Sequence, residues 1–452
     1  MATAVHSNVK KYYSSLKTGE DLQTTAACHV SSRLLSLSPS TREALGQVHP
    51  EVCKRFFGCG VVVPEKLKGC SVLDLGSGCG RDCYILSKLV GEDGHVTGID
   101  MTEDLIQESK KYIQYHQELF GYSRPNTVFI KGYIEKLSEA GIQNNSMDVI
   151  VSNCVICLCP DKRAVLNEAF KVLKEGGELY FSDMYTSEVV SDSLKEDPVL
   201  WGEGMAGALY WQDFISLVKE LGFSTPHLVA ASHIQINSPE LQKKAGDIKY
   251  ASGTYRIFKL PQDSIRNKGL VTYKGTVPDC SEYFQFDASY SFKTNVAVDV
   301  DSEMAAVLQY TRFSPDFTVW MTDEPDPGLK SAQQYCHLNP FLLADSLGSC
   351  VKQCSKMNSG NSGNELKPLY SFLWARRGEE RRGKERRGSG VICGSLWRTQ
   401  VWGKCKQSSV RNGSHCPHFT SPKVLHSGRS PKSYLITLSH LMHCQYPELK
   451  SM

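Results

Sequence analysis

The segment VLDLGSGCGRD, residues 72–82, sets Gly76, Gly78 and Gly80 between an apolar run and a helical pattern. Glycine permits a sharp turn and a close backbone approach to a ligand. A helix start behind such a loop adds free N–H groups and positive potential. The dinucleotide fingerprint G-x-G-x-x-G would need its third glycine at position 81, where Arg81 stands. The spacing is G-x-G-x-G instead, with Asp74 two residues before the first glycine. The next strand-like run, HVTGID, ends in Asp100. A carboxylate there is placed to accept hydrogen bonds from ribose hydroxyls. Asn153 closes the fourth such run, at the carboxyl edge where open α/β sheets bind ligands.

The second chemical resource is thiol. The chain has 17 cysteines. Its first residues, MATAVHSNVKKYYSSLK, lack the apolar core of a secretory signal. No run approaches the ~18 apolar residues of a membrane span, so a cytosolic protein without a membrane partner is expected. In a reducing compartment the cysteines are thiols, metalloid ligands or redox groups rather than a disulfide framework. Thiolates favour soft ions and metalloids. For most of them the bland alternative is a small buried hydrophobe, and Cys79 and Cys83 beside the glycine loop read as structural. The histidines show no zinc-ligand spacing, and no general base stands out.

The positioning elements are legible. Asn8 to Leu16 is expected to form a short helix, and residues 41–60 a helix restarted at Pro50 and ended by Gly58 and Gly60. From residue 71, strand and helix patterns alternate: SVLDLG, RDCYILSKLV, HVTGID, then one long amphipathic helix over TEDLIQESKKYIQYHQELF with Thr102 as N-cap. TVFIKG and MDVIVSN are the next strands, DKRAVLNEAFKVLK is a helix stopped by Gly176 and Gly177, and ELYFSDM is the fifth strand. This order predicts a parallel sheet covered on both faces. WGEGMAGALYW has too many glycines for a helix interior. HLVAASHIQI and GTYRIFKL look like an antiparallel edge pair, and a looser αβ region with a helix near EMAAVLQYTRF follows.

Composition (41% hydrophobic, 22% charged) fits a globular core. The net charge of +3 hides an asymmetry: residues 351–452 hold 18 Lys+Arg against 5 Asp+Glu, leaving an acidic body. No nucleic-acid partner is expected for that body. The tail, with LWARRGEERRGKERRGSG, reads as a low-complexity, disordered segment.

The G-x-G-x-G loop resembles motif I of the class I S-adenosylmethionine-dependent methyltransferases. In that family the residues after the third strand, here Tyr133, Ile134 and Glu135 of GYIEKL, flank the adenine. With DLQTTAACHV, RFFGCGVVVPE, HVTGIDM, SNCVICLCPDK and VLWGEGMAGALYW, residues 10–320 resemble the arsenite methyltransferases. The resemblance implies a Rossmann-like α/β fold with a mostly parallel, seven-stranded sheet. It implies S-adenosylmethionine as cofactor, bound by Asp74, Gly76, Gly78, Gly80, Asp100, Met101, Ile134, Glu135 and Asn153. It implies arsenite as substrate, mono- and dimethylated products, and thioredoxin or glutathione as reducing co-substrates. Three family cysteines match Cys28, Cys59 and Cys154, whereas the fourth position, in WGEC, is Gly204. Cys59 and Cys154 would hold As(III), and Cys28 would form a disulfide with a partner such as Cys59. Cys157, three residues beyond Cys154, is a candidate replacement for the missing thiol, and Cys159 a weaker one; packing roles for both are the alternative. A monomer is expected.

The expected organisation is a helical segment with thiols (1–70), a cofactor domain (71–185), an arsenic-binding region completing the sheet (186–260), a small C-terminal domain (261–350) and the tail (351–452). Two other readings share these motifs. One is a methyltransferase of a small organic acceptor, against which the three cysteines argue. The other is a non-catalytic thiol or metalloid binder, for which Gly204 argues.

Overall fold

The computed structural model describes residues 2–18, 21–22, 37–325 and 337–347. Cys28 and the 351–452 tail lie outside the described residues. The strands are β1 Ser71–Leu75, β2 His95–Asp100, β3 Thr127–Lys131, β4 Met147–Asn153, β5 Leu173–Thr186, β6 Leu209–Tyr210, β7 His227–Ile234 and β8 Tyr250–Phe258. They form one sheet in the order β3-β2-β1-β4-β5-β8-β7, with the two-residue β6 beside β5. Strands β1 to β6 pair in parallel, and β5–β8 and β8–β7 are antiparallel. The expected mostly parallel sheet is therefore present, with β6 as a short addition.

The central strands are apolar on both faces because helices cover both. Val72, Leu73, Leu75, Val149 and Ile150 are fully buried. Three local expectations are corrected. The stretch from Thr102 to Phe120 is two helices, Glu103–Lys110 and Ile113–Phe120, broken at Tyr112 (φ −106°, ψ 6°). The second helix carries His116 into the interior, where its ring stacks on Tyr84 at 3.7 Å. Thr102 precedes the first helix but its hydroxyl caps nothing there. The helix Lys162–Val172 ends before Gly176 and Gly177, which lie inside β5. Gly176, at φ +76°, sits where a Cβ would lie 2.4 Å from the Tyr310 carbonyl oxygen.

Beyond β8, strands β9 Asn267–Tyr273, β10 Tyr283–Gln285, β11 Ser291–Lys293, β12 Ala297–Val300 and β13 Phe317–Pro325 build a second core with the helix Ser302–Tyr310. The order is β12-β9-β13, all antiparallel, with β10–β11 as a separate pair. Phe284, Phe286, Phe292 and Phe313 fill it. Arg256 of β8 joins it to the main sheet. Its Nε donates to Glu178 at 2.6 Å and its Nη1 to the Phe286 carbonyl at 3.0 Å, all inside the protein.

Candidate functional site

The carboxyl ends of β1, β2 and β4 open into a cavity, at the edge where open α/β sheets bind ligands. The glycine loop forms its floor. Gly76 (φ +72°) and Gly78 (φ +54°) hold conformations that suit glycine. They serve different ends. A Cβ on Gly76 would lie 2.5 Å from Val155, whereas one on Gly78 would meet no atom within 4 Å. Gly80 does not line the cavity; at φ +87° its missing Cβ makes room for Phe129, 2.7 Å away. The structure shows it in a packing role and not among the cavity-lining residues, where the contact with ligand is expected.

Asp74, Met101, Ile134, Glu135 and Asn153 all line the cavity. Asp100 does too, and its carboxylate accepts from Gly78 N at 3.0 Å and Thr102 N at 2.8 Å. Two bonds leave lone pairs for further donors. Burial raises its pKa. Asp74 is pushed up to about 7, first by burial and then by the nearby Asp82 charge, while the Cys83 thiol donates to it at 3.1 Å. Sequence reasoning did not single out Ser77 or Asp82. Ser77 Oγ is buried in the cavity wall with no partner among the described residues. The helix Ala2–Ser15 lies along the rim: His6 meets Glu135 Oε1 at 2.7 Å, and Lys10 donates to the Tyr133 hydroxyl at 2.7 Å. At its other end Tyr12 donates to Glu203 and Tyr13 to the Gly202 carbonyl at 3.3 Å. Tyr13 lines the cavity, so of the aromatic residues in this region it is one that faces the ligand space.

Cys59 and Cys154 are joined by a disulfide, with a Cα–Cα separation of 6.1 Å. That lies in the range of disulfide geometry; Cys28, for which the resemblance implies a disulfide with a partner such as Cys59, lies outside the described residues. Cys154 lines the cavity and takes φ +57°, an uncommon conformation for a residue with a Cβ. Cys157 and Cys159 are free and buried. Burial, then the Asp183 charge, raises the Cys157 thiol pKa well above its usual value. The turn that carries Cys157, Ile156–Leu158, is clamped from three sides. Cys157 N donates to Asp183 at 3.1 Å, Lys162 Nζ donates to the Cys157 carbonyl at 3.2 Å, and Trp201 Nε1 to the Leu158 carbonyl at 2.8 Å. This packing explains the glycines of WGEGMAGALYW. A Cβ on Gly202 would lie 2.6 Å from the Tyr12 ring, and one on Gly207 only 1.9 Å from the Cys157 carbonyl oxygen. Among these glycines Gly204 faces a sulfur, that of Cys157.

The pocket fits a cationic nucleoside ligand. Asp74, Asp82, Asp100 and Glu135 face it, Ser77 offers an unused hydroxyl, and the cradle at Gly78 is open. A doubly wound sheet with this cradle at its carboxyl edge defines an S-adenosylmethionine-dependent methyltransferase, and residues 66–222 match a methyltransferase domain family. Residues 266–365 match the arsenite methyltransferase C-terminal domain. The chain is 47% identical to arsenite methyltransferase of Mus musculus over 349 residues, covering 76% of this chain and 92% of that one. It is 46% identical to the Homo sapiens protein of that name over 355 residues (77% and 94%). The crystal structure of an arsenic(III) S-adenosylmethionine methyltransferase from Chlamydomonas reinhardtii superposes with a TM-score of 0.62 at 40% identity, covering 65% of this chain and all of that one. The chain belongs to the arsenite methyltransferase family.

Proposed function

We propose that this protein transfers methyl groups from S-adenosylmethionine to trivalent arsenic held by its thiols, giving mono- and dimethylated arsenicals. The observation that carries the reading is that Cys154, half of the Cys59–Cys154 pair, lines the same cavity as Gly76, Gly78 and Asp100. The cofactor supplies an electrophilic methyl group on a sulfonium. Asp100 takes the ribose hydroxyls; Gly76 and Gly78 let the backbone approach; Ile134 and Glu135 flank the adenine; Asp74 and Met101 complete the pocket. With the disulfide reduced, arsenite condenses with thiols: each As–OH and S–H gives an As–S bond and water. No thiol must ionise first, so the raised pKa of a buried cysteine is no obstacle.

The arsenic lone pair is the nucleophile, so no side chain needs to remove a proton, and positioning dominates. Transfer formally oxidises arsenic by two electrons. Two thiols can return them by closing a disulfide, as Cys59 and Cys154 have done here, with Cys28 as a further resolving thiol. An external dithiol or thiol, thioredoxin or glutathione, then reopens the bond. One chain carries both the cofactor pocket and the thiols, which suits a monomer, and dependence on reducing thiols suits the cytosol. No helix among the described residues is long and apolar enough to cross a membrane.

The test is incubation of the dithiol-reduced protein with arsenite and S-adenosylmethionine, with separation of methylated arsenicals. Mono- and dimethylated products are expected. Cofactor binding without any methylated arsenic would reject the substrate.

A further inference from the structure

The side chain of Asn153 spans two loops that the proposed reaction must hold in register. Its Oδ1 accepts from Cys59 N at 2.8 Å. Its Nδ2 donates to the Gly60 carbonyl at 3.1 Å and to Asp82 Oδ2 at 2.8 Å. The carboxylate accepts only, which fixes the amide orientation. Arg81 completes the clasp: its guanidinium donates to Asp82 and to the same Gly60 carbonyl, and it lies 3.1 Å from the Phe56 ring centre. Gly58 admits the amide, since a Cβ there would lie 2.6 Å from Asn153 Oδ1. Residues 56–60 carry Cys59, and Phe56, Phe57 and Gly58 among them line the cavity wall, while Arg81 and Asp82 open the helix behind the glycine loop.

We propose that Asn153 is a positioning residue that couples cofactor binding to the redox state of the Cys59–Cys154 pair. The proposal rests on reading the cavity as the cofactor site. With the disulfide closed, residues 56–60 are tethered twice, by the bond and by the clasp, and the cavity wall formed by Phe56, Phe57 and Gly58 is pre-organised. The oxidised form then binds the nucleoside ligand more tightly. Reciprocity requires that the ligand, in turn, stabilise the disulfide by the same factor. Reduction breaks the S–S bond with two electrons and two protons from an external dithiol, which itself becomes a disulfide. It frees the Cys59 loop and loosens the ligand.

The test measures the midpoint potential of the Cys59–Cys154 pair against a dithiothreitol redox buffer, with and without S-adenosylhomocysteine. The full-length wild type is compared with Asn153→Ala and Asn153→Asp. The aspartate variant keeps the acceptor toward Cys59 N and loses both donors. In the wild type the ligand should lower the potential by about 20 mV or more, a fivefold change for a two-electron couple. Both variants should lose most of that shift. An asparagine that merely stabilised the fold would lower Tm in both redox states and leave the shift intact. If either variant fails to fold, judged by circular dichroism, the other decides. A ligand that binds the wild type without moving its potential, or a shift retained in the folded variants, overturns the proposal. A wild type that binds no S-adenosylhomocysteine would instead overturn the cofactor reading beneath it.

Discussion

A Cβ built on Gly204 would lie 3.0 Å from Cys157 Sγ. The family position that lacks its cysteine is therefore in contact with a thiol from another segment, one held there by Asp183, Lys162 and Trp201. Cys157 is proposed as the third arsenic ligand beside Cys59 and Cys154. Cys157→Ser should weaken arsenite binding by the reduced protein by more than about 100-fold, beyond the roughly 10–100-fold typical of outer-shell changes. Thiol titration should find three sulfurs protected per arsenite in the wild type and two in the variant. Adding Gly204→Cys to Cys157→Ser should restore the third. In the wild-type background Gly204→Cys should cost about 1–2 kcal/mol, because the backbone there is left-handed at φ +81°. Equal thiol protection in the wild type and Cys157→Ser would reject this ligand.

Asp74 sets a pH dependence. Its folded pKa of about 7 stands above its ordinary value of 3.8, so the fold favours the neutral acid. Stability from this group is complete below the ordinary value and is lost as pH rises through the folded one. Bound S-adenosylmethionine brings sulfonium and ammonium charges that favour the carboxylate instead. Cofactor affinity should fall on acidification below pH 7, by up to about tenfold per unit. Calorimetry in buffers of different ionisation enthalpy should show proton release on binding near pH 6. The Asp74→Asn variant should bind more weakly and show no such release.

Gly78 and Gly80 should separate binding from folding. Gly78→Ala carries left-handed strain of about 1–2 kcal/mol at φ +54° but meets no atom within 4 Å, so it should weaken S-adenosylmethionine binding while lowering Tm less than Gly80→Ala does. Gly80→Ala meets Phe129 at 2.7 Å and Ser109 at 3.2 Å, so it should destabilise the fold first. Strain at φ +87° alone is worth about 1–2 kcal/mol. Binding titrations beside thermal melts distinguish the two, and equal effects on Tm would contradict the assignment.

Glu178 ties the two cores together. Burial alone would raise its pKa, but Arg256 and Arg312 overcome that and hold it below the ordinary 4.5. It therefore contributes stability at neutral pH that is lost as pH falls through its depressed folded value. Glu178→Ala should cost about 3–5 kcal/mol, because it removes the short ion pair of the fully buried Arg256 and leaves that guanidinium only the longer one to Glu65 at 3.4 Å. Urea unfolding at pH 7 measures this, and a loss below about 1 kcal/mol would argue against it.

The alternating strand and helix patterns, the G-x-G-x-G turn and Asp100 were legible in the chain because they rest on local periodicity and on backbone conformations that favour glycine. The motifs likewise carried the resemblance to the family. Where glycines served packing between distant segments, the sequence misled. Gly80 makes room for Phe129, and Gly176 and Gly177 lie within a strand rather than ending a helix. The apolar stripe over 102–120 carried no sign of the break at Tyr112.

The thiol residues were visible in the sequence, but their partners were not. The pairing of Cys59 with Cys154 and the clasp from Asn153 to Asp82 link positions 95 and 71 residues apart. The contact of Cys157 with Gly204 joins two separate segments in the same way. Such contacts are set by how β1, β4 and β5 align their carboxyl ends, a property of the assembled sheet that no local spacing encodes.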